Sequence, residues 1–183
     1  LEHSGSGSDP RFLKAADKLT LKERAISWLN EVSPGDYLEI EPVISADVAI
    51  GRYSFSRTGD VSTRGFRPTN VGFGLSYVLP VIVLLLEAKP GELVILENPE
   101  AHIHPRGQTK LGQLAARAAA AGVQVIVETH SDHFMDGVRI DVKDNKLGPD
   151  QVRFHYFENH NRSSKVISPE INRDGRLSEW PTG

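Results

Sequence analysis

Leu93-Val94-Ile95-Leu96-Glu97-Asn98-Pro99-Glu100-Ala101-His102-Ile103-His104-Pro105 is the stretch whose reading decides the fold. Its opening run is short and continuously apolar, the pattern of a strand covered on both faces in a parallel sheet. The run closes on Glu97, so a carboxylate stands at the strand tip, where open α/β sheets bind their ligands. Pro105 falls at a first helical position, where a missing N–H costs nothing. Leu111, Leu114, Ala115 and Ala118 then form one apolar stripe up to Gly122, predicting a helix over 105–121. A second apolar run, Val123-Gln124-Val125-Ile126-Val127-Glu128, closes on Thr129-His130-Ser131-Asp132-His133. Strand 91–97, helix 105–121 and strand 123–128 make a β-α-β unit, which implies parallel strands and a right-handed crossover.

Upstream, Asn70-Val71-Gly72-Phe73-Gly74-Leu75-Ser76 opens an apolar run through Leu86. That run contains Gly72, Gly74 and Pro80 and is shorter than the about 20 residues a membrane span needs, so it reads as a buried helix. Its glycines precede the helix directly, where backbone amides and the helix N-terminus can receive an anion. From Asp9 to Val32, Leu13, Ala16, Leu19, Leu21, Ala25, Ile26 and Leu29 recur at helical spacing, with Thr20 as a cap. Ser33-Pro34-Gly35-Asp36 ends that pattern. Residues 37–57 read as two strands of an antiparallel hairpin or meander. Beyond the central unit, a short helix at His133–Val138 precedes strands at Val152–Glu158 and Lys165–Ile167, with turns at Asn159–Arg162 and Asp174-Gly175.

The chain has 183 residues, 39% of them apolar and 25% charged, which suits one soluble globular domain. A formal net charge of −3 gives no whole-molecule attraction to nucleic acid or anionic membrane. Any such contact needs a local patch. Arg52, Arg57, Arg64 and Arg67, set against Asp60 and interleaved with Tyr53, Phe55 and Phe66, could form one, but the stretch reads first as a solvated hairpin. With no cysteine, disulfides and thiolate metal sites are excluded. No signal peptide is visible, and the expected location is the cytoplasm. Residues 1–8, in which Ser and Gly alternate from Ser4 to Ser8, read as a flexible linker or vector scar, with native sequence expected upstream of residue 9.

Glu97 at a strand tip suits a hard cation such as Mg²⁺. Thr129 and His130 at the neighbouring tip can touch a γ-phosphate or a bound water. A rival reading takes His102, His104, His130, Asp132 and His133, with Glu97 and Glu100, as ligands of a metal-dependent hydrolase. A third is a non-catalytic interaction module.

The order of glycine turn, acidic strand and histidine strand resembles the C-terminal lobe of ABC-like heads in SMC-type, RecF-like and overcoming-lysogenization-defect-type ATPases. Glu97 to Pro105 also resembles a family of uncharacterised bacterial AAA-like ATPases carrying Glu-Asn-Pro-Glu-Ala-His-hydrophobic-His-Pro. The resemblance implies an α/β fold with a mixed, largely parallel sheet and flanking helices, and residues 9–183 as the C-terminal part of an ATPase domain. It makes Val71-Gly72-Phe73-Gly74 a signature turn, Leu93–Glu97 a Walker B strand, Ala101–His104 a D-loop region and His130 a switch histidine. Catalytic candidates are then Glu97, Asn98, Glu100 and His130, with Glu97 holding Mg²⁺; Asn70, Gly72, Gly74 and Ser76 would meet a partner's nucleotide. An ATP-dependent homodimer follows, and nucleic-acid processing or anti-phage defence is the implied setting.

The chain departs from the pattern in three places. Asn98 holds the usual catalytic carboxylate position, so either Glu100 does the base work or hydrolysis is slow. Gly72 holds the usual signature serine position, leaving Asn70 or Ser76 for any side-chain contact to the γ-phosphate. No GxxxxGK[ST] occurs in the sequence, so the chain by itself should bind ATP poorly or not at all.

Overall fold

The computed structural model describes residues 9–13, 19–46, 48–57, 61–62, 65–67, 73–160 and 163–180. Helix α1 spans Leu21–Val32 and begins at a reciprocal cap: Thr20 accepts from the Glu23 backbone N–H while the Glu23 carboxylate accepts from the Thr20 N–H. Its buried side chains, Ala25, Trp28, Leu29 and Val32, lie at helical spacing. The helical pattern expected from Asp9 is corrected at residues 9–13, which form a turn. There Arg11 bonds its neighbour Asp9 and aims Nη1 at the carbonyls of Leu85 (3.2 Å), Leu86 (3.0 Å) and Ala88 (2.6 Å). Those carbonyls close helix α2, Phe73–Glu87. A guanidinium that satisfies a buried helix C-terminus holds the chain out of helix. The Trp28 indole fixes the turn from below, donating to the Arg11 carbonyl at 2.8 Å.

Strands β1 (Asp36–Val43) and β2 (Val48–Arg57) pair antiparallel as expected, and β2 continues to the short β3, Val61–Ser62. Leu38 and Tyr53 carry this layer into the core, where they join residues of α1, α2, β4 (Leu93–Glu97) and α3 (Pro105–Ala120). Pro105 is the first helical residue, and His104 is the N-cap, its Nδ1 accepting from the Arg106 N–H.

The crossover delivers β5, Gln124–Glu128, parallel to β4 with Glu97 opposite Glu128. The α/β class holds; among the described residues parallel pairing is confined to these two strands, the other sheets being antiparallel. One expectation is corrected: β4 and β5 are not covered on both faces. Val94 and Leu96 are buried, whereas Leu93 and Ile95 are 52% and 67% exposed and Ile126 is 49% exposed. Helix α2 packs against β4 and α3 against β5.

Helix α4, Asp132–Lys143, is longer than expected and lies against α3. The two helices touch backbone to backbone: a Cβ on Gly112 would sit 2.1 Å from the Phe134 carbonyl oxygen, and one on Gly137 2.1 Å from that of Thr109. Behind this seam Asp141 is fully buried, accepting from Gln113 Nε2 (2.8 Å) and Arg117 Nε (2.9 Å), with Lys146 Nζ at 3.4 Å. Such a carboxylate is tolerable because each oxygen has a partner. The chain continues into an antiparallel hairpin, β6 (Tyr156–His160) and β7 (Ser163–Ile167). At the expected Asp174-Gly175 turn, Asn172 Oδ1 accepts from the N–H groups of Asp174 and Arg176. Among the described residues no helix is long and apolar enough to cross a membrane.

Candidate functional site

The parallel register of β4 and β5 brings their carboxyl ends side by side. Glu97 and Glu128 are register partners on the open face, and two carboxylates so placed repel each other unless a cation sits nearby. His130 stands beside them: its Nε2 lies 3.1 Å from Glu128 Oε1, with the ring 84% exposed. An exposed pair of this kind contributes little to stability. Glu97 is exposed, and its side chain has no protein partner among the described residues; its carbonyl accepts from the Tyr77 hydroxyl at 3.3 Å.

After Glu97 the chain makes a tight turn. Asn98 sits at φ 45°, in the left-handed region that asparagine tolerates better than most residues, and its N–H donates to the Glu128 carbonyl at 2.9 Å. Glu100 is buried at 6% exposure, accepting at Oε1 from the Thr129 hydroxyl (2.6 Å) and the His130 N–H (3.1 Å). His102 is exposed, with φ at 64°.

Gly74 explains how α2 reaches this turn. A Cβ there would lie 2.4 Å from the His102 carbonyl oxygen, so the glycine lets the helix start rest directly on the 98–104 loop. Ser76 is half-buried two residues further along α2. A shallow groove of about 160 Å³ opens beside the contact, lined by Val32, Ser33, Leu75 and Val78 with His102 and His104.

The structure thus brings together Glu97, Asn98, Glu100 and His130 at two strand tips and places Gly74 against the same loop. Asn70, Gly72, Asp60 and Arg64 lie outside the described residues. Arg52 lies half-buried on β2, Arg57 closes that strand, and Arg67 is exposed beyond β3. The metal-hydrolase alternative is corrected: among the described residues no three of His, Cys, Asp and Glu are placed to hold an ion. His104 is committed to capping α3, His130 pairs with Glu128, and Asp132 and His133 lie in the first turn of α4.

Sequence reasoning missed Glu128 as the neighbour of Glu97, because strand register cannot be read from two separate apolar runs. It also missed Gln108 and Ser131. Ser131 had a legible signal, a serine directly before an apolar-periodic segment; it accepts from the Phe134 N–H as the α4 cap. Gln108, whose Oε1 takes the Ser131 hydroxyl at 2.5 Å, had none.

The fold is similar to that of SMC ATPase heads, which have the P-loop NTPase fold. A crystal structure of an Smc head bound to the C-terminal winged-helix domain of ScpA superposes at a TM-score of 0.58 over 84% of this chain and 43% of that one, at 13% identity. The Pyrococcus furiosus Smc head with an extended coiled coil, bound to the C-terminal domain of ScpA, gives 0.56, with 82% and 34% covered at 13% identity. A structure described as "Structural biochemistry of ATP-driven dimerization and DNA stimulated activation of SMC ATPases" gives 0.54, with 81% and 82% covered at 13% identity. The chain therefore spans less than half the length of two of these three. The family described as "AAA domain, putative AbiEii toxin, Type IV TA system" matches residues 8–136, more than half of the sequence, and the chain belongs to it. Residues 147–183 match a second family, described as a protein of unknown function, DUF3696. No curated protein matches the chain.

Proposed function

We propose that this chain is the C-terminal lobe of an ABC-like ATPase head, residues 9–183 acting with a phosphate-loop half to bind and hydrolyse ATP in the cytoplasm. The observation that carries this reading is the pairing of Glu97 with Glu128 beside His130, at the carboxyl ends of two parallel strands with one open face. Parallel sheets are ordinarily covered on both faces. The exposed Leu93, Ile95 and Ile126 are what a second lobe would bury.

The residues fit Mg²⁺ and a nucleotide. Glu97 is an exposed carboxylate with no protein partner among the described residues, beside a second carboxylate, a donor set suited to a hard cation that keeps several waters. Bound Mg²⁺ would neutralise phosphate charge, and Glu97 would hold it in place. His130 extends from the adjacent tip into solvent, where its imidazole can donate to a γ-phosphate oxygen. With an amide at Asn98, no carboxylate stands at the usual base position, and slow turnover follows. Gly74, Ser76 and the α2 N-terminus, with Asn70 and Gly72 before them, would serve a nucleotide held by a second head.

A relative by fold is described as an SMC ATPase undergoing ATP-driven dimerization and DNA-stimulated activation, and the family description names a toxin–antitoxin system. We carry over an ATP-dependent homodimer, with nucleic-acid processing or phage defence as its setting. Gly74 is not the residue with which to test the dimer, since any side chain there strikes the His102 backbone within the same chain. His102→Gly is better, because glycine adopts φ 64° without strain and the ring it removes is exposed. Sedimentation of the full-length protein should show a dimer only with ATP and Mg²⁺, weakened about tenfold by His102→Gly. A nucleotide-independent dimer indifferent to the substitution would contradict the reading.

A further inference from the structure

The polar contacts around Glu100 form a closed ring. Glu100 Oε1 receives the Thr129 hydroxyl and the His130 N–H. Thr129 Oγ1 receives the Ser131 N–H at 3.1 Å, and the Ser131 hydroxyl donates to Gln108 Oε1. Gln108 Nε2 returns to the starting turn, donating to the Ile103 carbonyl at 2.9 Å and reaching the Glu100 carbonyl at 3.5 Å. The ring joins the loop after β4, the tip of β5 and the first turns of α3 and α4.

The two oxygens of Glu100 are unequal. Oε1 takes two donors, one at the short distance of a charge-assisted O–H···O bond. Oε2 is buried with no hydrogen-bond partner among the described residues. A general base needs a carboxylate oxygen within reach of the water it activates, and the oxygen of Glu100 that is engaged is turned inward to the neighbouring strand. A buried carboxylate left half-satisfied is costly, and what this one secures is the backbone of His130.

We propose that Glu100 is a positioning residue: through Oε1 it clamps Thr129 and the His130 backbone to the loop carrying Asn98 and His102, and takes no proton itself. The proposal rests on the ATPase reading above and divides the question left open by Asn98. Base work is not transferred to Glu100. The loop and the histidine move as one piece.

The test compares Glu100→Gln, which keeps an acceptor at Oε1, with Glu100→Ala and Thr129→Val, which break the clamp, all in the full-length protein. With Mg²⁺ and ATP, Glu100→Gln should hold kcat within about threefold of wild type, while Glu100→Ala and Thr129→Val lower it about tenfold or more with KM changed less than about twofold. In parallel, hydrogen exchange of the His130 amide should accelerate about tenfold in Glu100→Ala and return to the wild-type rate in Glu100→Gln. A Glu100→Gln protein as inactive as Glu100→Ala, with His130 protection intact, would make Glu100 the proton acceptor and overturn the proposal. Wild-type exchange at His130 in Glu100→Ala would overturn it too. If wild-type protein hydrolyses no ATP, the ATPase reading fails by itself, and the exchange rates alone then decide whether the clamp exists.

Discussion

The two faces of β4 differ more than any other pair of neighbouring surfaces in the molecule. Val94 and Leu96 point into the core formed with α1, α2 and α3, while Leu93, Ile95 and Glu97, one residue out of phase, point away from it. Both sets are equally apolar up to the terminal glutamate. Sequence therefore specifies a strand meant for cover on two sides, and this chain supplies one. On the covered side even the buried carboxylate of Asp141 is held, by Gln113 and Arg117 behind the α3–α4 seam. The open side ends in Glu97 and Glu128 with His130 beside them, and there the chemistry is exposed.

That contrast can be broken or sharpened by substitution. The largest effect is expected at Leu96→Ala, which should cost this chain about 2–5 kcal/mol in urea unfolding, because the side chain is buried and leaves a cavity. Thr20→Ala removes the hydroxyl half of the α1 cap and should cost about 1 kcal/mol. The same cap has a pH signature. Glu23 is held below its ordinary 4.5, first by the Thr20 backbone N–H and then by the Thr20 hydroxyl. A depressed carboxyl pKa stabilises the fold above the unfolded value and loses that contribution as pH falls through the folded one. In Thr20→Ala the Glu23 titration, followed by carboxyl NMR, should therefore move up towards 4.5. The smallest effect is expected at Ile95→Ala, within about 0.5 kcal/mol, since the residue is already in water here. A cost at Ile95 equal to that at Leu96 would erase the difference between the faces.

Much of this was legible in the residues themselves. Thr20 as a helix cap, Pro105 at a helix start and two apolar runs joined by a helical stripe each have a local physical cause, and each appears where expected. What was hidden depends on partners distant in sequence. Nothing around Asp9 tells that Arg11 will cap α2, since the carbonyls it meets lie at residues 85, 86 and 88. The apolar runs showed that both faces of β4 are suited to burial but not whether this chain covers both. Gly74 looked like an anion-receiving turn; its close approach to the His102 carbonyl became visible only once α2 was set against the loop. Glu100, read from its place after Asn98 and Pro99, was a candidate base, and the clamp on Thr129 and His130 required the parallel register.

The central claim is that the exposed carboxylate of Glu97 organises Mg²⁺ for ATP hydrolysis. The direct measurement is steady-state ATP turnover by the full-length protein, wild type against Glu97→Gln, over a Mg²⁺ titration with thermal unfolding recorded on the same samples. Because the Glu97 side chain has no protein partner among the described residues, the fold should be indifferent to the change. The account predicts Mg²⁺-dependent turnover in the wild type, reduced at least about a hundredfold in Glu97→Gln at an unchanged melting temperature. Turnover by Glu97→Gln at the wild-type rate and the wild-type Mg²⁺ requirement would contradict it.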